Sequence, residues 1–238
     1  MNAGVLAFGD SITNGGGELQ WGVALQSWAL WVARGLGLPY TGYAADGARV
    51  TDVAGAQVPA FLARTALPDA RYDVGCLYAG VNDVRSGEWD AGGFEAAYGD
   101  VADVLAARCE RLLLVTIPLD LGRPRAGARV VEANAAIERV ARACGALVLD
   151  LRDFGARNLV MTDHVHPTAF GQVAIAERAL DVLGADGMTV RVRPSTLITP
   201  GERTRRHALQ GDWTYVYRAL KERARDAADR ARRAVRGA

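Results

Sequence analysis

Residues 5–15 read Val5-Leu6-Ala7-Phe8-Gly9-Asp10-Ser11-Ile12-Thr13-Asn14-Gly15. Four apolar residues in a row, closed by glycine, are too short a run for a helix and show no polar alternation. They fit a strand buried on both faces. The small and polar residues that follow suit a tight turn. Such a strand at the start of the chain opens an alternating α/β pattern, and four more apolar runs repeat it. Residues 40–44 form a weaker strand, 73–78 a further one, 112–117 the clearest, and 146–151 the last.

Helical periodicity fills the intervals. Residues 21–36 place Trp21, Leu25, Trp28, Val32 and Leu36 on one face, with Gly37 as a stop. Thr51 suits the cap of a helix over 51–64, with Pro68 beyond it. Helices are also expected over 93–108, 125–144 and 168–183, the last closed by Gly184. This alternation predicts an open parallel sheet covered by helices on both faces. Sites in such sheets gather where loops leave the carboxyl ends of the strands.

Composition narrows the class. Of 238 residues, 50% are apolar and 23% charged, which supports one substantial core and excludes wholesale disorder. No apolar run approaches the roughly 20 residues of a membrane span. Residues 1–10 show neither a basic segment nor a long apolar one, so no secretory signal is legible. Three cysteines (Cys76, Cys109 and Cys144), with no CxxC spacing, argue against a disulfide framework or a cysteine-rich zinc site. A cytoplasmic location is the expectation.

The net charge of +1 conceals a split. Residues 1–187 hold 15 Arg against 22 Asp and Glu, whereas residues 188–238 hold 13 Lys and Arg against 5 acids. The expected organisation is a catalytic domain over 1–187 and a basic extension over 188–238. In the extension, residues 189–193 suit one more short strand and 194–202 a loop. A helix from Asp212 would carry Trp213, Val216, Leu220, Ala224, Ala227, Ala231 and Val235 on one face. Its stripe is mostly alanine after Leu220. Packing of Trp213, Tyr217 and Leu220 on the acidic body is therefore preferred to peripheral membrane contact. No groove-reading motif is present, so nucleic acid is not an expected partner.

Four short segments just after strands carry the chemistry. They are Gly9-Asp10-Ser11-Ile12-Thr13, Asp46-Gly47-Ala48-Arg49, Gly80-Val81-Asn82-Asp83 and Asp163-His164-Val165-His166-Pro167. A serine becomes a nucleophile when an oriented base accepts its proton. An aspartate three residues before a histidine can turn its carboxylate onto the imidazole, as Asp163 and His166 are spaced to do. Acyl transfer also needs donors for its oxyanion, and the N–H groups of Ser11 and Gly47 with the amide of Asn82 would supply three.

These four blocks, in this order, resemble the SGNH hydrolases, also called the GDSL esterases and lipases, over about residues 4–184. The resemblance implies a three-layer α/β/α sandwich around a five-stranded parallel sheet, a flavodoxin-like arrangement. It implies Ser11 as nucleophile, His166 as general base, Asp163 as its orienting carboxylate, and Ser11, Gly47 and Asn82 as the oxyanion hole. It implies no metal and no cofactor, and a small-molecule ester with a small or medium acyl group, O-acetyl esters included. No GxSxG occurs, so the α/β-hydrolase elbow does not apply. An acyltransferase on the same triad is one alternative, and a catalytically weak carbohydrate- or membrane-binding module is another.

Each residue also has a plainer use. Ser11 can cap a helix, Gly47 can serve a turn and Asn82 can close an Asx turn. Asp163, His164 and His166 can ligate a metal. Asp10 and Asp83 are expected to hold their loops. Arg49 and Arg85 can meet an anionic part of a substrate or merely solubilise the surface.

Overall fold

The computed structural model describes residues 2–20, 22–64, 70–122, 125–156 and 158–198, together with Val216 and Leu220. Five strands form one sheet in the order β2-β1-β3-β4-β5, all parallel. They are β1 (Val5–Gly9), β2 (Tyr40–Gly42), β3 (Tyr72–Tyr78), β4 (Cys109–Val115) and β5 (Leu147–Leu149). Every residue of β1 is buried, as a central strand covered on both faces requires.

Helix α1 (Trp28–Leu36) packs against α7 (Ala169–Ala185), and α5 (Ala91–Arg108) against α6 (Ala128–Cys144). Right-handed crossovers explain the two layers. The chain steps from β1 one way to β2 and then back past β1 to β3, so the later crossovers lie on the face opposite α1. Such a reversal opens a crevice between β1 and β3 at their carboxyl ends. The register sets Gly9 beside Tyr78, so both strands end level at that crevice. The sheet order is the expected flavodoxin-like one.

Several boundaries differ from the sequence expectation. Helix α1 begins at Trp28, because Ser27 caps it by accepting from the N–H of Ala29, while Val23 bridges to Gln20. The 51–64 helix is built from α2 (Val50–Asp52), a wider π-turn over Val53–Gln57 and α3 (Val58–Arg64). Pro59 cannot donate to the carbonyl four residues before it, so regular winding is interrupted there. Thr51 lies inside this stretch rather than capping it; Asp52 accepts from the N–H of Arg49 instead. A short helix, α4 (Val81–Arg85), follows β3 and was not legible as a helix.

Residues 189–193 are not a strand. The N–H groups of Arg191 and Val192 both turn to the carbonyl of Gly35, which fixes this segment on α1. The basic helix expected from Asp212 lies outside the described residues apart from Val216 and Leu220. Both are helical, and Leu220 is exposed rather than packed on the body.

The π-turn places Gln57, buried, under the end of β1. Its Nε2 donates to the Gly9 carbonyl at 2.7 Å and its Oε1 accepts from the Gly9 N–H at 3.1 Å. Gly9 itself must lack a side chain, because a Cβ would lie 2.3 Å from the Tyr78 carbonyl. Replacing Gln57 by leucine strands the Gly9 N–H, while the carbonyl keeps its bond from the Ala45 N–H. The expected loss is about 2 kcal/mol, read as a lower urea midpoint with an unchanged m-value.

Candidate active site

Each of the four blocks follows the carboxyl edge of the sheet. Ser11 begins the turn after β1, and its carbonyl accepts from the N–H of Gly16 at 2.7 Å. A Cβ on Gly16 would stand 2.7 Å from that carbonyl, so the turn closes only around glycine. Asp163 and His166 share a loop between β5 and α7. Within it the Met161 N–H donates to the His166 carbonyl, and Pro167 bridges to Val160. Thr168 then caps α7 by accepting from Gly171.

The side chains meet across 155 residues of sequence. Ser11 Oγ lies 2.9 Å from His166 Nε2, and His166 Nδ1 lies 2.7 Å from Asp163 Oδ2. The other Asp163 oxygen accepts from the N–H groups of Val165 and His166, at 2.9 and 3.1 Å. An ionised carboxylate only accepts, so the imidazole proton sits on Nδ1 and Nε2 is bare toward the serine hydroxyl. Burial pushes the Asp163 carboxyl up, but its bonds to His166 and to two backbone N–H groups prevail and leave it below the usual carboxylate value. The His166 imidazole is raised, first by its bond to Asp163 and then by the Asp163 and Asp10 charges, against burial and Arg85.

The expected oxyanion donors face the same edge. Gly47 holds φ +75°, a left-handed turn that glycine adopts without strain. Among the described residues no protein acceptor takes the N–H of Ser11 or of Gly47. Asn82 stands in the first turn of α4, where its amide donates one N–H to the Ala48 carbonyl at 3.0 Å. An amide carries two N–H groups, so the second is left for a ligand. The loops are tied sideways: Asn14 Nδ2 donates to Asp46 at 2.9 Å, and both Asp83 oxygens accept from the Val50 N–H. Asp83 thus holds its loop as expected. Among the described residues, no three His, Cys, Asp or Glu side chains are grouped as metal ligands. The three cysteines are free thiols, Cys76 and Cys109 buried.

One contributor escaped sequence reasoning, and two residues that it named do more than expected. Gln172 is fully buried in α7, with its Nε2 on the carbonyls of Ile12 and Gly16, each at 3.0 Å, and its Oε1 on the Trp28 N–H at 2.8 Å. A lone glutamine in an apolar helix face was its only signal. His164 adopts φ 53°, places Nδ1 3.1 Å from Asp120 and accepts at its carbonyl from the Gly122 N–H. Asp10, expected only to steady its loop, is fully buried with one oxygen unpartnered.

The model of the GDSL-like lipase/acylhydrolase family matches residues 7–174. No curated protein matches the chain in sequence. Among solved structures, an aspartate-to-alanine catalytic mutant of Axe2, an acetylxylan esterase from Geobacillus stearothermophilus, superposes with TM-score 0.60 at 19% identity, over 76% of this chain and 94% of that one. A serine-to-alanine catalytic mutant of Axe2 matches with TM-score 0.60 at 19% identity, over 80% and 97%. LAE5, an alpha/beta hydrolase from the metagenome of Lake Arreo, matches with TM-score 0.59 at 19% identity, over 76% and 95%. At these identities the likeness is one of fold.

A pH titration of the three histidines by NMR checks the Asp163 contact directly. In the native protein His166 should titrate above the ordinary 6.5. In Asp163→Asn the largest raising cause is gone and burial remains, so the midpoint falls by at least about one unit. A raised histidine stabilises the fold fully below 6.5, and this contribution fades as pH climbs through the folded value. The variant should therefore lose more stability at pH 6 than at pH 9.

Proposed function

The chain belongs to the GDSL-like lipase/acylhydrolase family and is a carboxylic ester hydrolase of that kind, and we propose that it works through an acyl-enzyme formed on Ser11. The observation that carries this reading is the continuous relay from Ser11 through His166 to Asp163, with contacts of 2.9 and 2.7 Å. Ser11 Oγ attacks the ester carbonyl carbon as its proton passes to His166 Nε2. Asp163 keeps the ring in the productive tautomer and stabilises the imidazolium. The N–H groups of Ser11 and Gly47 and the free N–H of Asn82 receive the oxyanion. When the C–O bond breaks, the imidazolium returns the proton to the leaving alcohol. Water then passes a proton to His166 as its oxygen bonds to the acyl carbon, and the imidazolium returns that proton to Ser11 Oγ as the acyl–serine bond breaks and the acid leaves.

Support also comes from the solved relatives. Catalytic mutants of Axe2 replace a serine, an aspartate and a histidine, the aspartate three residues before the histidine. Asp163 and His166 have the same spacing. Axe2 is an acetylxylan esterase, which favours a short acyl group, such as O-acetyl on a sugar, as the substrate class here. No cofactor has a part in this scheme. Among the described residues no helix is long and apolar enough to cross a membrane.

Hydrolysis of p-nitrophenyl esters from acetate to decanoate tests both parts. Turnover should fall with acyl length, and Ser11→Ala should lower it by roughly 10³-fold or more with the fold intact. Near-native activity in that variant refutes the nucleophile. Asn82→Ala should reduce kcat by roughly 10²-fold with little change in KM. A loss confined to KM would make Asn82 a binding group instead. Added acceptor alcohols report on transfer, since acyl products in place of free acid would mark an acyltransferase.

A further inference from the structure

Asp10 precedes Ser11 and is fully buried at the end of β1. Its Oδ1 accepts from the Ile12 N–H at 2.9 Å, which fixes the turn that carries Ser11, while its buried Oδ2 has no hydrogen-bond partner among the described residues. A structural carboxylate of this kind usually has both oxygens satisfied, because an unpaired buried one is costly. An asparagine could accept from Ile12 without carrying a buried charge. The spare oxygen therefore calls for a use, and the cation whose charge acts on Asp10 is the imidazolium that forms at His166.

We propose that Asp10 is a positioning residue acting through His166, a second carboxylate that supports the imidazolium as the ring takes the proton of Ser11. The inference rests on the acyl-enzyme reading above. Asp10 takes up no proton in that step; the proton goes from Ser11 Oγ to His166 Nε2, and Asp10 contributes only its field. The surrounding charges are consistent with this role. His166 is drawn upward by Asp10 and downward by Arg85 of α4. Asp10 is raised to about 7, first by burial and also by Asp83 of α4, while the Ile12 N–H and His166 lower it. Tyr78 of β3, buried beside it, is in turn pushed up by burial and by Asp10. The carboxyl thus ionises near neutrality beside a histidine that it draws upward, and the proposed role requires the two to titrate as a coupled pair.

Asp10→Asn keeps an acceptor for Ile12 and removes the charge. The acid limb of its kcat/KM profile should move to lower pH by about one unit, and kcat on the alkaline plateau should fall about tenfold. Uniform scaling at every pH, with an unmoved limb, would reduce Asp10 to a loop anchor and overturn the proposal. A second measurement needs neither activity nor an Asp10 variant to fold. In Ser11→Ala protein, the Asp10 carboxyl carbon and the His166 ring are followed by NMR against pH. A shared transition near neutrality, with a His166 curve broader than one site, is expected. A carboxyl carbon titrating near 4 and a single-site His166 curve would refute the coupling. Failure of the acyl-enzyme reading would appear separately, as ester turnover that survives Ser11→Ala.

Discussion

One buried amide holds the two halves of the site in register. The nucleophile turn and the histidine loop come from opposite ends of the chain, and the 2.9 Å contact between Ser11 and His166 survives only if both are fixed to a common frame. Gln172 supplies it. From the first turn of α7 it grips the turn at the Ile12 and Gly16 carbonyls and the start of α1 at the Trp28 N–H. The Ala169 N–H adds a bond to the Glu18 carbonyl, beside the bridge between Glu18 and Thr168. His166 lies just before this anchored helix start. A small shift of α7 would lengthen the serine contact, and an ångström of misplacement is costly in catalysis.

The sheet determines where that frame can sit. Only between β1 and β3 does the winding reverse, and there the loops diverge and leave a crevice. The blocks after β1, β2 and β3 all border it, so two backbone N–H groups and one amide N–H can converge without further secondary structure. The loops are then locked to one another by polar side chains: Asn14 to Asp46, Asn82 to Ala48, Asp83 to Val50. In the proposed mechanism this lateral network is what would preorganise the oxyanion donors.

The inner strands β1, β3 and β4 were legible in the sequence because burial on both faces leaves an apolar run, and the Asp163–His166 pair because it is local in sequence. Helix limits were less legible. Residues 21–36 carry helical periodicity, but Ser27 offers a cap in mid-run, and a cap defines a start that periodicity cannot. Helix α4 is too short to show a period at all. Gln172 and Gln57 could not be foreseen as clamps. Their partners are backbone groups 48 to 160 residues away, and backbone groups leave no residue-type signature. Asp10 was recognisable as a loop holder, but its spare oxygen belongs only to the folded surroundings.

Three carboxylates near the site show how burial and hydrogen bonding compete. Asp163 is partly exposed, accepts from His166 and two backbone N–H groups, and lies below the ordinary value. Asp83 is buried and shares the single N–H of Val50 between its oxygens; burial prevails and it is raised. Asp10 is the most buried, has one oxygen without a partner, and rises to about 7. The same chemical group is thus tuned over a wide range by the number of donors it meets. The gradient has a direction. The carboxylate that must stay ionised to orient a ring is the best solvated by hydrogen bonds. The one left short of partners precedes Ser11, and a proton arriving on His166 stabilises its charge further.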